Sequence, residues 1–327
     1  MKLPASFILF VFLFSSCIEE YDLKINEAEP RLVVEGLITN TPGPHYIRLT
    51  KSETGSYIST VKNTTQNAIP VKDATVIITD DYDQIDTLSL IDVDDLNEYQ
   101  YDYMLGTYKL IFNQTGEIVD TLIIDDPEGF VNRGYYKTTR LKGIPGHTYS
   151  LQILYNNKVY SSHAYMPPIP EIDSLGYLKR IAEKDGQEYF IPLLYFTEPQ
   201  GIDNFYLIQL QNDIFSRHGY RTMNWQFSIL SDEFLEPYVN GLYVSLGANP
   251  SGIEYDTYWF GDSIYVGLSS LTKEAYCYYK ALLDQFDNDG GAYKPSPASP
   301  PGNISNGGLG LFRASAVSEK SIKIPNN

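Results

Sequence analysis

From Arg31 to Tyr165 the chain is cut into short runs of β-branched and aromatic residues, each stopped by Gly, Pro, Asn or Asp before it reaches helical length. That punctuation limits the fold to strands joined by turns, because runs of about five to eight residues are too short for an amphipathic helix to bury a face. RLVVEGLIT (31–39) and HYIRLTK (45–51) are two such runs, separated by Asn40-Thr41-Pro42-Gly43-Pro44. Two prolines in that stretch cannot lie in a central strand. Ser52 to Ile69 reads as a long polar loop, ATVIIT (74–79) as the next strand, and Asp80 to Asp86 as an acidic turn. In NEYQYDYM (97–104), Tyr99, Tyr101 and Tyr103 fall at every second position, which predicts a strand with one aromatic and one polar face. TYKLIF (107–112) and IVDTLII (118–124) predict a hairpin. TYSLQILY (148–155) and KVYSSHAY (158–165) predict another, closed by Asn156-Asn157, since asparagine tolerates positive φ. The pattern predicts a mainly β protein whose residues 30–165 form an immunoglobulin/fibronectin-like β-sandwich.

MPPIPEID (166–173) interrupts the rhythm with three prolines in four residues, and is expected to be a Pro-rich linker. Beyond it, 174–327 is expected to be a second antiparallel β domain carrying one packed α-helix. Its strands are predicted at EYFIPLLYF (188–196), FYLIQLQ (205–211), WQFSIL (225–230), GLYVSL (241–246) and SIYVGL (263–268). SDEFLEPYV (231–239) has room for a helical turn that Pro237 limits. The helix is predicted over 272–287, where Ala275, Tyr278, Tyr279, Leu282, Leu283 and Phe286 follow helical spacing. Ser270 or Thr272 caps its start, Gly290-Gly291 ends it, and Cys277 falls near its apolar face. YKPSPASPPGNISNGGLG (293–310) predicts an irregular surface segment, and SEKSIKI (318–324) a last strand closing the second sheet.

The N-terminus carries a different signal. Lys2, an apolar run from Phe7 to Phe14 and the small residues Ser15-Ser16 ahead of Cys17 read as an export leader over 1–16, too short to span a bilayer. Leu13 and Ser16 placed before Cys17 resemble the lipobox of bacterial lipoproteins, in which the cysteine is acylated and becomes the new N-terminus. Residues 17–29 are acidic and suit a tether. The whole chain has a formal net charge of −17. A chain so acidic does not bind nucleic acid through phosphate contacts and is repelled by anionic lipid, so acyl chains on Cys17 must hold it at a membrane. With Cys277 the only other cysteine, no disulfide framework is expected. Tyrosine outnumbers phenylalanine 28 to 15, which suits half-buried strand positions better than it selects a stacking platform.

The order of segments resembles a family of Bacteroidota lipoproteins, number 4249 in the domain-of-unknown-function series. The residues that carry the likeness are LVVEGLITN (32–40), PVKDATVIITD (70–80), GIPGHTYSLQI (143–153), MPPIPEIDSL (166–175), SLTKEAYCYYKAL (270–282) and PPGNISN (300–306). The resemblance implies an outer-membrane lipoprotein, commonly associated with a TonB-dependent transporter of the starch-utilisation type. It implies no activity and no catalytic residue. Glu19-Glu20 and Asp22 after the cysteine are similar to signals that send lipoproteins of that phylum to the cell surface.

Four further patterns have a chemical reading and a plainer one. Gly261-Asp262-Ser263 resembles the nucleophile block of GDS-type esterases, but the last histidine, His218, lies upstream of it, and a turn before a strand explains the same letters. His45, His147, His163 and His218 stand singly without metal-ligand spacing. Gln285 to Gly290 has the alternation of a calcium loop but begins on Gln285 and meets Ser296 where a bidentate glutamate belongs. Asp80, Asp81, Asp83 and Asp86, with Asp92, Asp94 and Asp95, suit either a Ca2+ edge or a charged loop that keeps a sheet edge soluble, the latter being favoured. The expectation is therefore a non-enzymatic protein with no cofactor, no metal and no catalytic residue. Its one assigned site is the lipidation site Cys17, and its role is accessory binding of a ligand or a transporter partner at the outer membrane. A structural or adhesive surface protein is the second reading, and a glycan or peptide hydrolase the third.

Overall fold

Alternation does what the sequence asks of it. In the first strand Leu32, Val34 and Ile38 are buried while Glu35 between them is exposed. The computed structural model describes residues 29–42, 44–52, 69–91, 109–112, 118–122, 134–181, 186–212, 227–244, 258, 260, 261, 263–287 and 300–326. The leader, Cys17, most of the tether, the loop expected at 52–69 from 53 onward to 68, and the tyrosine-rich NEYQYDYM lie outside the described residues.

The first half contains β1 (Leu32–Thr39), β2 (Tyr46–Lys51), β3 (Ile69–Pro70), β4 (Thr75–Asp80), β5 (Ile85–Thr87), β6 (Ser89–Leu90), β7 (Lys109–Phe112), β8 (Ile118–Leu122), β9 (Tyr135–Lys137), β10 (Thr148–Tyr155) and β11 (Lys158–Tyr165). The second half contains β12 (Ile172–Ile181), β13 (Glu188–Thr197), β14 (Phe205–Asn212), β15 (Phe227–Ser231), β16 (Tyr238–Tyr243), β17 (Ser263–Leu271), the helix α1 (Lys273–Asp287), β18 (Leu309–Ser315) and β19 (Val317–Lys323). The fold is mainly β, as the punctuation predicts.

One sheet runs β18-β1-β2-β9-β6, with β3 on β2, and faces a second running β11-β10-β4-β5. Val34, Ile47 and Leu49 from the first meet Val76, Ile78, Leu151 and Ile153 from the second in one core. The hairpin between β10 and β11 turns at Asn156 (φ 49) and Asn157 (φ 58), the left-handed pair that a two-residue connection needs. A second sandwich pairs the sheet β12-β13-β16 with the sheet β15-β14-β17-β19. Phe190, Leu194 and Phe196 of the former pack on Tyr206, Ile208, Val266 and Leu268 of the latter.

Several strands depart from the expectations. β5 begins inside the stretch expected to be an acidic turn, β6 and β9 lie where no strand is predicted, β12 starts in the expected Pro-rich linker and runs on through residues given no element, and β18 begins at Leu309, inside the segment expected to be irregular surface. β18 also pairs parallel to β1, from Val33 opposite Leu309 to Thr39 opposite Ser315, so the chain returns to the first sandwich after building most of the second. Phe312 and Ala314 complete the first core. The next strand, β19, goes back to pair with β17 in the second sandwich, where a closing strand is expected.

The residues just before β18 cover an open edge. Ser305 exchanges bonds with Ser161 of β11, Ser161 N donating to its Oγ at 2.7 Å and Ser305 N donating to the Ser161 carbonyl at 2.9 Å. The Asn303 side chain receives Phe312 N at 2.9 Å and donates to the Phe312 carbonyl at 2.7 Å, and Ile304 is buried. An irregular backbone thereby satisfies the groups of an edge strand that would otherwise invite another chain.

The proline block is packed between the two halves. Met166 is fully buried in the first core, and Ile169 packs against both cores. Ser270 fastens it, because its hydroxyl lies 2.7 Å from the Pro167 carbonyl and 2.9 Å from Ala316 N. Ser270 is therefore not a helix cap. Thr272 is, its Oγ1 accepting from Ala275 N at 3.2 Å. The helix lays Ala275 and three tyrosines on Leu207 and Leu271 and reaches Leu311 of β18. Cys277, expected near the apolar face, is exposed.

Gly310 marks the tightest point of the closure. Its φ is +94°, and a Cβ there would collide with the Val34 carbonyl oxygen, whereas Gly146 has φ +87° and open space around it. Gly146→Ala is expected to cost about 1 kcal/mol from its backbone alone. Gly310→Ala adds a backbone clash and should lower stability by at least about 2 kcal/mol more in urea unfolding. Equal losses for the two would show that the β1–β18 contact does not limit the first sandwich.

Candidate functional site

Among the described residues, those singled out from the sequence do not gather. Ser263 is the first residue of β17, opposite Lys323, and Gly261 turns the chain into it with φ +83° and a bond from its N–H to the Pro325 carbonyl at 3.2 Å. The described histidines belong to the first sandwich, and His218 lies outside the described residues. His147 Nδ1 sits 2.7 Å from Asp81, and Tyr82 stacks on the His147 ring at 4.7 Å. His163 Nδ1 lies 2.9 Å from the Ser150 hydroxyl. His45 is buried, its Nε2 has no hydrogen-bond partner among the described residues, and desolvation pushes its pKa down to about 4.

The aspartates between β4 and β6 have separate tasks. One Asp80 oxygen accepts from Tyr82 N and Gln84 N, shaping the turn. Asp81 faces His147, and Asp83 takes a positive φ of 60°. Asp86 is fully buried and accepts from Thr139 N, the Thr139 hydroxyl, Arg140 N and Leu141 N at 2.6–2.9 Å. Its pKa is lowered: burial opposes ionisation most strongly, and the four donors together outweigh it. Asp92, Asp94 and Asp95 lie outside the described residues, as does the calcium-like stretch beyond Asp287. Among the described residues no three His, Cys, Asp or Glu side chains come together around a metal-sized space.

Two shallow depressions mark the first sandwich and the junction. One, about 410 Å3, is lined by Pro44 and residues 137–142. The other, about 460 Å3, lies where Asn40, Pro168, Ile169 and Glu171 meet Val317 and Lys320. Lys320 spans that junction, its Nζ donating to the carbonyls of Ile172 and Asp173 at 3.0 and 2.7 Å.

A more unusual constellation lies at one end of the second sandwich, where nothing in the sequence pointed. Glu198, just past β13, is only 3% exposed. The Tyr206 hydroxyl lies 2.8 Å from each of its carboxyl oxygens, and Asn204 Nδ2 donates to one of them at 2.7 Å. Desolvation is the main cause that raises the Glu198 pKa, and two donors do not offset it. The same burial, with the neighbouring carboxyl, pushes the Tyr206 hydroxyl up as well.

This cluster ties two loops together. Asn204 N donates to Asp232 Oδ2 at 2.7 Å, and Asp232 N donates back to the Asn204 carbonyl at 3.1 Å. Glu198 N reaches the Pro237 carbonyl at 3.0 Å. The expected helical turn in SDEFLEPYV is a single 3-10 turn, Asp232–Phe234, capped by Ser231 and followed by an extended Leu235. On these tied loops Ile202 and Phe234 are 58% and 85% exposed, and Tyr238, which begins β16 beside them, is 48% exposed. A fixed scaffold thus holds three large apolar side chains in water.

A family model described as a domain of unknown function, DUF4249, matches residues 18–321. The chain belongs to that family. The match takes in both sandwiches of this DUF4249 protein, including the returning strands β18 and most of β19. No curated protein and no solved structure matches it. Among the described residues no helix is long and apolar enough to cross a membrane.

The raised Glu198 pKa has a signed consequence. Above pH 4.5 the unfolded chain releases this proton first, so the folded state holds more protons and stability falls as pH rises through the interval up to the folded pKa. Glu198→Gln keeps the shape and an acceptor for both donors but removes the titration. Its thermal midpoint relative to the parent should climb as the pH rises above about 4.5 and level off once the parent's folded carboxyl has ionised. Parallel curves would mean that Glu198 is not held above its ordinary range.

Proposed function

We propose that this DUF4249 protein is a non-enzymatic, lipid-anchored accessory protein of the outer membrane that binds a partner protein, a TonB-dependent transporter. The observation that carries the binding part is the tip just described, where Glu198, Asn204 and Asp232 brace the loops that bear Ile202 and Phe234 and the start of β16 that bears Tyr238, all three exposed. A lone exposed apolar residue is ordinary, but three on one braced tip present a preformed contact surface. Bracing favours binding because the loops lose little further freedom on contact.

The anchoring part rests on the leader that ends at Cys17 and on the charge of −17 behind it. Such a chain is repelled by anionic headgroups, so a lipid on the cysteine is what keeps it at a bilayer. The acids Glu19, Glu20 and Asp22 support display at the cell surface.

Two measurements test this. Cys17→Ser should move the protein from the outer-membrane pellet to the soluble fraction, and a variant that still pellets like the parent removes the anchor from the proposal. The intact lipoprotein extracted in mild detergent should co-elute with a β-barrel transporter in repeated preparations. Recovery of the lipoprotein alone counts against the transporter.

A further inference from the structure

The tip has a chemical character beyond its apolarity. In the stretches that build it, Thr197–Phe205 and Ser231–Tyr238, there are five carboxylates, Glu198, Asp203, Asp232, Glu233 and Glu236, and no lysine or arginine. Four of them border the apolar residues directly in sequence: Asp203 follows Ile202, Asp232 and Glu233 precede Phe234, and Glu236 lies two residues before Tyr238. Glu233 and Glu236 are exposed. Asp232 is committed to Asn204 N, and Glu198 is buried against Tyr206, so the carboxylates free to meet a partner are those at the rim.

We infer that Ile202, Phe234 and Tyr238 dock into an apolar socket on a partner protein whose rim carries lysine or arginine. This rests on the reading of the chain as a partner-binding protein and specifies the surface it uses. Apolar contact supplies the affinity, and the acidic rim selects a cationic frame and speeds encounter. The same rim repels a second copy of this acidic chain and an anionic lipid surface, which leaves a basic-rimmed protein as the occupant that charge favours.

Site-specific photocrosslinking in cells tests the inference. p-Benzoylphenylalanine is placed at position 238, and in a second strain at position 82, where Tyr82 is 75% exposed on the other sandwich. Crosslinked peptides are sequenced by mass spectrometry. The expected result is a crosslink from 238 but not from 82, to a protein peptide with apolar residues flanked by lysine or arginine. The double variant Glu233→Lys/Glu236→Lys, and separately Phe234→Ser, should lower the yield about tenfold with circular dichroism and melting midpoint unchanged. No crosslink from 238, one to lipid or to a second copy, a partner peptide without basic residues, or an undiminished yield after charge reversal overturns the inference. Co-elution of a barrel with the intact lipoprotein while 238 stays silent would sink this docking surface and leave the transporter reading standing. A basic-rimmed partner other than a barrel would do the reverse.

Discussion

The parallel pairing of β18 with β1 is the constraint on which the rest of the molecule depends. It joins residues that lie at opposite ends of the described chain, as the bond from Val317 N to the Asn40 side chain at 2.7 Å shows across 277 positions. Everything from β12 to α1 is therefore built between two strands of the first sandwich. Closing so long a loop is entropically demanding, and the first sheet lacks an outer strand until the C-terminal segment exists. The second sandwich makes the closure feasible by bringing β17, the helix and the segment before β18 close to β1. Ser270, Ile169 and Asn40 then lock the crossing from three sides. The two halves are thus laced through each other rather than strung on a linker.

Two buried carboxylates show how this fold uses charge to fix loops, and why the outcome differs. Asp86 receives four donors, three of them backbone N–H groups of 139–141 that move with the segment it pins. Glu198 receives only two side-chain groups, and desolvation prevails. Donor supply accounts for the opposite directions of their shifts. Structurally both do the same work, since a carboxyl without its partners in a low-dielectric site is costly and the loops around it have little freedom to leave.

What could be read from the sequence follows from how local each signal is. β1, β2, β4 and the β10–β11 hairpin were legible because alternation and turn chemistry sit within a few residues of one another. The helix was legible for the same reason, and its start was narrowed to two candidates of which Thr272 is the cap. β12 was not, because much of IDSLGYLKRI is exposed and Gly176, Lys179 and Arg180 blur the alternation. LGLFRAS was hidden behind a run of proline and glycine, and its burial on both faces comes from the first core on one side and the helix on the other. The tip was invisible for a related reason. Glu198-Pro199-Gln200-Gly201 reads as a solvated loop, and only the meeting of Glu198 with Tyr206 and of Asn204 with Asp232 makes it rigid.

An exposed phenylalanine on a protein that must stay dispersed is a hazard, since burying such a side chain gains about 2 kcal/mol wherever a partner surface can be found. Two features limit the hazard here. The open edge of β11 is covered by residues 303–306, so strand addition is blocked where the backbone would permit it. At the tip the safeguard is electrostatic, because a second copy would have to bring its own acids against Asp203, Glu233 and Glu236. Charge that suppresses self-association necessarily discriminates among other surfaces too. An acidic rim around a rigid apolar tip therefore excludes like-charged neighbours and favours cationic ones by the same interaction, and salt weakens both effects together.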